Sequence, residues 1–157
     1  MWTGKLLIRT ADELDIPEII RLSRMMHAEG PYSDVEFDEN KVGELAIAMC
    51  HPQSPYFGAV AEFEGKLIGV VIGMYQELLF SRRVQTFDTI IYVDKDHRGS
   101  TAGIKLINSY IDWAKSIDAV ACNVIISGLY DNSKTYLLVQ KMGFSPVGGL
   151  FKMKLGD

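Results

Sequence analysis

Residues 56 to 93 carry three apolar runs with almost no chain between them. YFGAVAEF is followed by the turn Glu64-Gly65-Lys66 and then LIGVVIGMYQELLF; SRRVQ makes a polar break before QTFDTIIYVD. These runs are rich in Val, Ile, Phe and Tyr and read as three consecutive strands, with the Glu-Gly-Lys turn as a hairpin signal. A chain with such a trio at its centre must build a sheet, and its other elements must cover that sheet.

The flanks supply the cover. Lys5 to Arg9 read as a short opening strand. In TADELDIPEIIRLSRMMHAEG, Ile16, Ile19, Ile20, Leu22 and Met26 fall at helical spacing. Asp15 precedes Pro17 and stands three residues before Glu18, a capping arrangement, and Gly30-Pro31 marks the stop. GPYSDVEFDEN is an acidic loop; a second helix with Val42, Leu45, Ala46 and Met49 on one face closes at HPQSP. Beyond the strand trio, Ile104, Ile107, Tyr110, Ile111 and Ala114 repeat at three-and-four spacing from Gly103, a third helix. VACNVIISGL reads as a strand. DNSKTYLLVQKMGF reads as a helix that opens on capping residues and stops at Gly143, and VGGLFKMKL reads as a last strand. The predicted order is β α α β β β α β α β, with no repeat or linker, in one domain over residues 1–157.

Composition narrows the function classes. The net charge of −4 argues against nucleic acid as a main partner. Cys50 and Cys122 stand alone, with no CxxC or CxxH spacing, so no metal site is expected and both read as core residues. His27, His51 and His97 form no ligand set. No apolar stretch is long enough to cross a membrane, and the low cysteine count suits a reducing compartment, so the expectation is a cytoplasmic protein.

The segment DKDHRGSTAGIKLI joins the third strand of the trio to the third helix. A helix N-terminus has main-chain N–H groups with no intrahelical partner and carries the positive end of the dipole. Gly99, Ser100, Thr101, Ala102 and Gly103 are small enough for a phosphate to approach the backbone, and Arg98 adds a guanidinium fork. The same residues also fit a plain strand-to-helix turn. G-x-x-x-x-G-K-[ST] and G-x-G-x-x-G are both absent.

An arginine followed by small residues and Ala102-Gly103, entering a helix after a strand that ends in Val93, resembles the coenzyme A pyrophosphate loop of GNAT-superfamily N-acetyltransferases. Their pattern is Arg or Gln, two residues, Gly, one residue, then Gly or Ala; Arg98 fills the first position, Gly103 the last, and Thr101 replaces the middle glycine. Asn132 to Gly143-Phe144 resembles the family's late helix. The resemblance implies a mixed α/β fold: a central twisted, largely antiparallel sheet with splayed strands 4 and 5 and helices on both faces. It implies acetyl-CoA as co-substrate and an amine as acceptor. By that likeness Ile91 and Val93 would pair with the pantetheine amides, the amides of Gly99, Ser100, Thr101, Ala102, Gly103 and Ile104 would hold the pyrophosphate beside Arg98, and Asn132 would face the coenzyme arm.

The reaction implied is direct attack of an amine on the acetyl thioester. The family's usual tyrosine acid, four residues before the Gly of Gly-Phe, is replaced by Val139, and Tyr136, one turn earlier, is the substitute for that role and a neighbour of the coenzyme. Glu77 and Asp88 are the candidate bases, with Glu29 a third. The acidic residues Asp34, Glu36, Asp38 and Glu39 could attract a cationic amine such as a polyamine, an aminoglycoside or a lysine side chain. Two other readings stay open: a non-catalytic coenzyme-binding sensor or regulator, and a protein that binds another phosphorylated nucleotide at the same loop. The C-terminal VGGLFKMKL strand could pair two copies as a homodimer.

Overall fold

All three central runs become strands. The computed structural model describes residues 4–126 and 133–156. Its elements are β1 (Leu6–Thr10), α1 (Ile16–Glu29), α2 (Glu39–Cys50), β2 (Tyr56–Phe63), β3 (Lys66–Leu78), β4 (Ser81–Val93), α3 (Ala102–Ser116), β5 (Ala121–Asn123) and α4 (Ser133–Lys141). The chain divides into two units, Met1–Ile125 and Ile126–Asp157; the first holds β1 to β5 with α1 to α3, the second holds α4.

The first unit is a five-stranded sheet in the order β1-β2-β3-β4-β5. The first three pairings are antiparallel, and β4 pairs with β5 in parallel. Glu64 and Gly65, at φ 51° and 80°, form the β2–β3 turn, with Phe63 opposite Lys66. Positive φ at both central residues matches the right-handed twist of the strands.

Helices cover both faces. Val60, Val70, Ile72, Ile90 and Tyr92 pack with Ile19 and Leu22 of α1 and Ala46 and Met49 of α2. Ala59, Ala61, Ile68 and Val71 pack with Ala102, Leu106 and Tyr110 of α3. β3 is therefore buried on both sides from Leu67 to Gly73, which is why it reads as a continuous apolar run rather than an alternation. Ile19, Leu22 and Leu106 are fully buried, each contributing about 1.5–3 kcal/mol by leaving water. Gly73 sits beneath α3: a Cβ there would lie 2.6 Å from the Tyr110 ring, so only glycine admits the helix this close.

Three sequence expectations need correction. SRRVQ is not a break, because β4 begins at Ser81 and Leu78 pairs with Ser81 across the two-residue tip Leu79-Phe80. In this outer part of the β3–β4 hairpin Gln76, Glu77, Arg82 and Arg83 are exposed on a paired backbone, and the apolar tip residues Leu79 and Phe80 are exposed as well. The cap at the start of the α1 region belongs to Asp12, whose side chain accepts the Leu14 N–H at 2.8 Å, while Asp15 closes the box by accepting the Asp12 N–H at 2.9 Å. Asp15 precedes α1 but makes no side-chain cap to it. The last strand is not seen: described residues 145–156 contain no strand, and Val147, Leu150, Phe151, Met153 and Leu155 are exposed. The alternation of VGGLFKMKL is present, but a strand also needs a paired neighbour, and here no ladder engages it. Cys50 and Cys122 are half-buried and unpaired.

In the second unit, α4 ends as expected. Gly143 has φ 103°; its N–H donates to the Gln140 carbonyl at 3.0 Å and the Phe144 N–H to the Val139 carbonyl at 3.1 Å, a Schellman closure.

Candidate active site

The site begins with an irregularity in β4. Asp88 pairs with Gly73 and Ile90 with Ile72, so Thr89 has no opposite number and bulges. The extra residue changes which side chains face which layer. Before it, Thr86 points to Tyr110 on the α3 face; after it, Ile90 and Tyr92 join the core beneath α1 and α2. The Asp94 N–H donates to the Ile68 carbonyl at 2.7 Å. Antiparallel alternation then turns the main-chain groups of Tyr92 and Ile90 toward β3 and those of Ile91 and Val93 toward the β5 side.

On that side the ladder ends early. β5 matches β4 only at Gln85↔Ala121, Thr86↔Cys122 and Phe87↔Asn123. β4 continues to Val93 without a β5 partner, so strands 4 and 5 part after Phe87. The expected VACNVIISGL strand is thus cut to Ala121–Asn123; residues 124–126 are unpaired, and its last residues, 127–129, lie outside the described residues. The junction is tied from below. The Tyr110 hydroxyl, fully buried, lies 2.8 Å from the Asn123 carbonyl and 2.9 Å from Thr86 Oγ1, and Asn123 Nδ2 donates to the Thr86 carbonyl at 3.0 Å. Burial pushes the Tyr110 phenol well above its ordinary range. At the parting point Asp88 Oδ1 accepts the Ile125 N–H at 2.7 Å. Burial raises the Asp88 carboxyl above its usual range, partly offset by the Ile125 amide.

β4 runs through one short helical turn, Lys95–His97, into α3. Gly99 has φ 89°, with open space where a Cβ would stand, so backbone conformation alone requires glycine there. The Ser100 hydroxyl donates to the His97 carbonyl at 2.7 Å and accepts the Ala102 N–H at 3.3 Å. The first helical bond runs from the Lys105 N–H to the Thr101 carbonyl at 3.0 Å, and Thr101 makes no side-chain cap. Gly103 and Ile104 therefore present N–H groups that have no partner in the helix. A Cβ on Gly103 would meet only Val93 Cγ2, at 3.9 Å. The glycine is not needed for internal packing, and the backbone there is open to a bulky anion, which fits a diphosphate. Beside the loop opens a cleft of about 450 Å³, lined by Leu6, Phe63, Ile68, His97, Ser100 and Lys105 among others.

Arg98 is exposed but already partnered. Its Nε donates to the Val93 carbonyl at 3.1 Å, its Nη2 to Glu29 Oε2 at 2.5 Å, and its guanidinium lies 5.4 Å from the Tyr92 ring centre. Tyr92 donates its hydroxyl to Glu29 Oε1 at 2.6 Å. Burial works to raise the Glu29 carboxyl, but the Tyr92 hydroxyl and Arg98 guanidinium outweigh it and hold it below its ordinary range. Burial, reinforced by Glu29, drives the Tyr92 phenol upward.

The structure thus gathers Ile91, Val93, Arg98, Gly99, Ser100, Thr101, Ala102, Gly103 and Ile104 along one strand end and one helix start. Glu77 is exposed opposite Val84, toward the hairpin tip and four pairings from Asp88, and does not join them. Tyr136 is exposed on α4, and Val139 is buried. Asn132 lies outside the described residues. In the acidic loop, Asp38 caps α2 by accepting the Lys41 N–H at 3.1 Å, and Glu39 accepts a 2.5 Å bond from Arg24. Sequence reading missed Thr86, Tyr92 and Asn123, whose roles rest on partners remote in the chain. It named Glu29 only as a base; nothing local marks it as a partner of Arg98.

Residues 18–144 match the model of the acetyltransferase (GNAT) family. No curated protein matches the sequence. Several solved structures share the fold. A ribosomal-protein-alanine N-acetyltransferase from Brucella melitensis is 17% identical with a TM-score of 0.73, over 97% of this chain and 100% of that one. An aminoglycoside acetyltransferase from an uncultured soil metagenomic sample, solved with sisomicin, is 20% identical with a TM-score of 0.72, over 96% and 97%. An aminoglycoside N-acetyltransferase in complex with CoA is 13% identical with a TM-score of 0.77, over 96% and 95%.

Proposed function

The chain belongs to the GNAT acetyltransferase family, and from that premise we propose that it transfers an acetyl group from acetyl-CoA to a primary amine by direct attack on the thioester. The observation that carries this reading is the edge of β4 beyond Phe87, which has no β5 partner among the described residues and runs straight into the open N-terminus of α3. Ile91 and the Val93 N–H offer main-chain groups along that edge for the pantetheine arm, and the loop from Gly99 to Ile104, with the Gly103 and Ile104 N–H groups foremost, offers a seat for the diphosphate. Bound acetyl-CoA supplies the activated acyl group; the protein's part is to fix its carbonyl and stabilise the oxyanion with a main-chain donor at the strand end.

In the transfer, the amine nitrogen forms a bond to the acetyl carbon, the carbon–sulfur bond breaks, and the thiolate leaves with the electron pair. The amine must shed a proton to react. We assign that proton to water rather than to Glu77, which stands in solvent, or to Asp88, whose carboxylate is engaged by Ile125. The thiolate is protonated by water; Tyr136, the sequence candidate for that proton, belongs to the second unit. The family model spans the boundary between the two units, which supports taking residues 1–157 as one acetyltransferase domain. Among the described residues no helix is long and apolar enough to cross a membrane, and no three His, Cys, Asp or Glu side chains group to hold a metal. We place the protein in the cytoplasm on its unpaired cysteines, and the alternation of residues 147–155 suits strand pairing between two copies.

The acceptor is an amine of a small molecule, a polyamine, an aminoglycoside or a protein. Thiol release from acetyl-CoA against a panel of such amines tests the reading. Turnover on one of them supports it. Tight coenzyme binding with no turnover on any would assign the fold to a sensing or regulatory module instead, and no coenzyme binding would overturn both.

A further inference from the structure

Asp88 occupies a position that the acetyl-transfer reading leaves without a role. It is the first β4 residue beyond the last β4–β5 pair, it adjoins the bulge at Thr89, and its Oδ1 takes the N–H of Ile125, two residues past the end of β5. Had the ladder continued, that amide would have met a main-chain carbonyl of β4, with the strands at their ordinary separation of about 4.8 Å. A side-chain carboxylate stands in instead. It takes this exposed donor in place of water and ties residue 125 to β4 just where the strands part. Among the described residues no β4–β5 pairing follows it, and the main-chain groups of Ile91 face the gap.

We propose that Asp88 is a positioning residue. By holding the Ile125 amide on its carboxylate, it sets where β4 and β5 separate and how wide the gap stays for the acyl-pantetheine arm. This rests on the acetyl-CoA reading of the site. It also separates Asp88 from a proton-accepting role: what the site uses is an acceptor oxygen of the right reach, and the charge is secondary. Three neighbours fix the carboxylate's surroundings. Gly73 is its cross-strand partner, and Tyr110, bonded to Thr86 and to the Asn123 carbonyl, anchors the last two paired rungs just before it.

The test compares wild type, Asp88→Asn and Asp88→Ala, using calorimetry with coenzyme A and hydrogen exchange at the Ile125 amide. Asparagine keeps an acceptor oxygen at the same reach, so Asp88→Asn should bind coenzyme A within about threefold of wild type and keep the Ile125 amide protected. Asp88→Ala should bind about tenfold or more weakly, because nothing then ties the Ile125 amide and fixes the gap, with that amide exchanging freely. Equal affinity in Asp88→Ala and wild type would overturn the proposal. So would an Asp88→Asn variant as impaired as Asp88→Ala, because charge would then be the essential property. If Asp88→Ala does not fold, the asparagine variant decides alone: retained affinity and protection support the role, and loss of either refutes it. Wild type failing to bind coenzyme A is the separate result that removes the acetyl-CoA reading itself.

Discussion

Glu29 and Arg98, 69 residues apart in the chain, are joined by a 2.5 Å hydrogen bond between Oε2 and Nη2. The C-terminal end of α1 thus grips the arginine expected from the sequence to lie beside a diphosphate. A carboxylate held this close competes with any phosphate for the same fork. The Glu29→Gln variant should release Arg98 and remove a negative charge from the entrance. Coenzyme A should then bind more tightly, by a few-fold to about tenfold, with a steeper dependence on salt. Calorimetry at two ionic strengths measures both. Unchanged affinity would mean that Arg98 does not reach the coenzyme.

Gly103 separates the demands of the fold from those of the ligand. A Cβ there meets nothing nearer than Val93 Cγ2 at 3.9 Å. Gly103→Ala should therefore raise stability, by up to about 1 kcal/mol for a helical glycine, with little change in coenzyme binding. Gly103→Leu should fold equally well but overhang the N–H groups and weaken binding about tenfold or more. Thermal melts and titrations of both variants settle the matter; an undiminished affinity in the leucine variant would place the diphosphate elsewhere.

Tyr110 is fully buried, and its hydroxyl serves both Thr86 and the Asn123 carbonyl. Tyr110→Phe keeps the ring and strands those polar atoms. The cost should be about 1–3 kcal/mol, which for a chain of this size lowers Tm by about 3–10 °C. Exchange at β5 amides should rise more than at β2 amides. A melt within a degree or so of wild type would show that the β4–β5 junction does not depend on this hydroxyl.

Acid stability should track Asp15. Arg9 bonds it bidentately, Nη1 to Oδ2 at 2.7 Å and Nη2 to Oδ1 at 2.8 Å. The Arg9 hydrogen bonds, aided by the Asp12 amide and opposed by burial, hold the Asp15 carboxyl below its ordinary range. A depressed carboxyl binds its proton less well folded than unfolded. Its contribution is therefore complete above the unfolded value of about 4 and lost as pH falls through the lower folded value. Melting curves from about pH 7 down to about pH 2 should show this loss, and Asp15→Asn should be less stable at neutral pH with a shallower acid limb. An acid limb as steep in Asp15→Asn as in wild type would refute the assignment.

What the amino-acid order determined alone are the features whose causes lie within a few residues. Helical spacing in α1 and α3, the Glu64-Gly65 turn, the glycine stop at Gly143 and the small residues that open α3 each depend on a local backbone preference or one face of one element. Tertiary structure decided the rest, because the partners are far apart and met only once strands were in register. It placed the bulge at Thr89, made SRRVQ a strand arm, ended β5 at Asn123, and left residues 147–155 without a ladder. It also paired Asp88 with the Ile125 amide, and Glu29 with Arg98. A single-residue slip in β4 would have sent these side chains to the opposite face, and no local pattern in the sequence records which register wins.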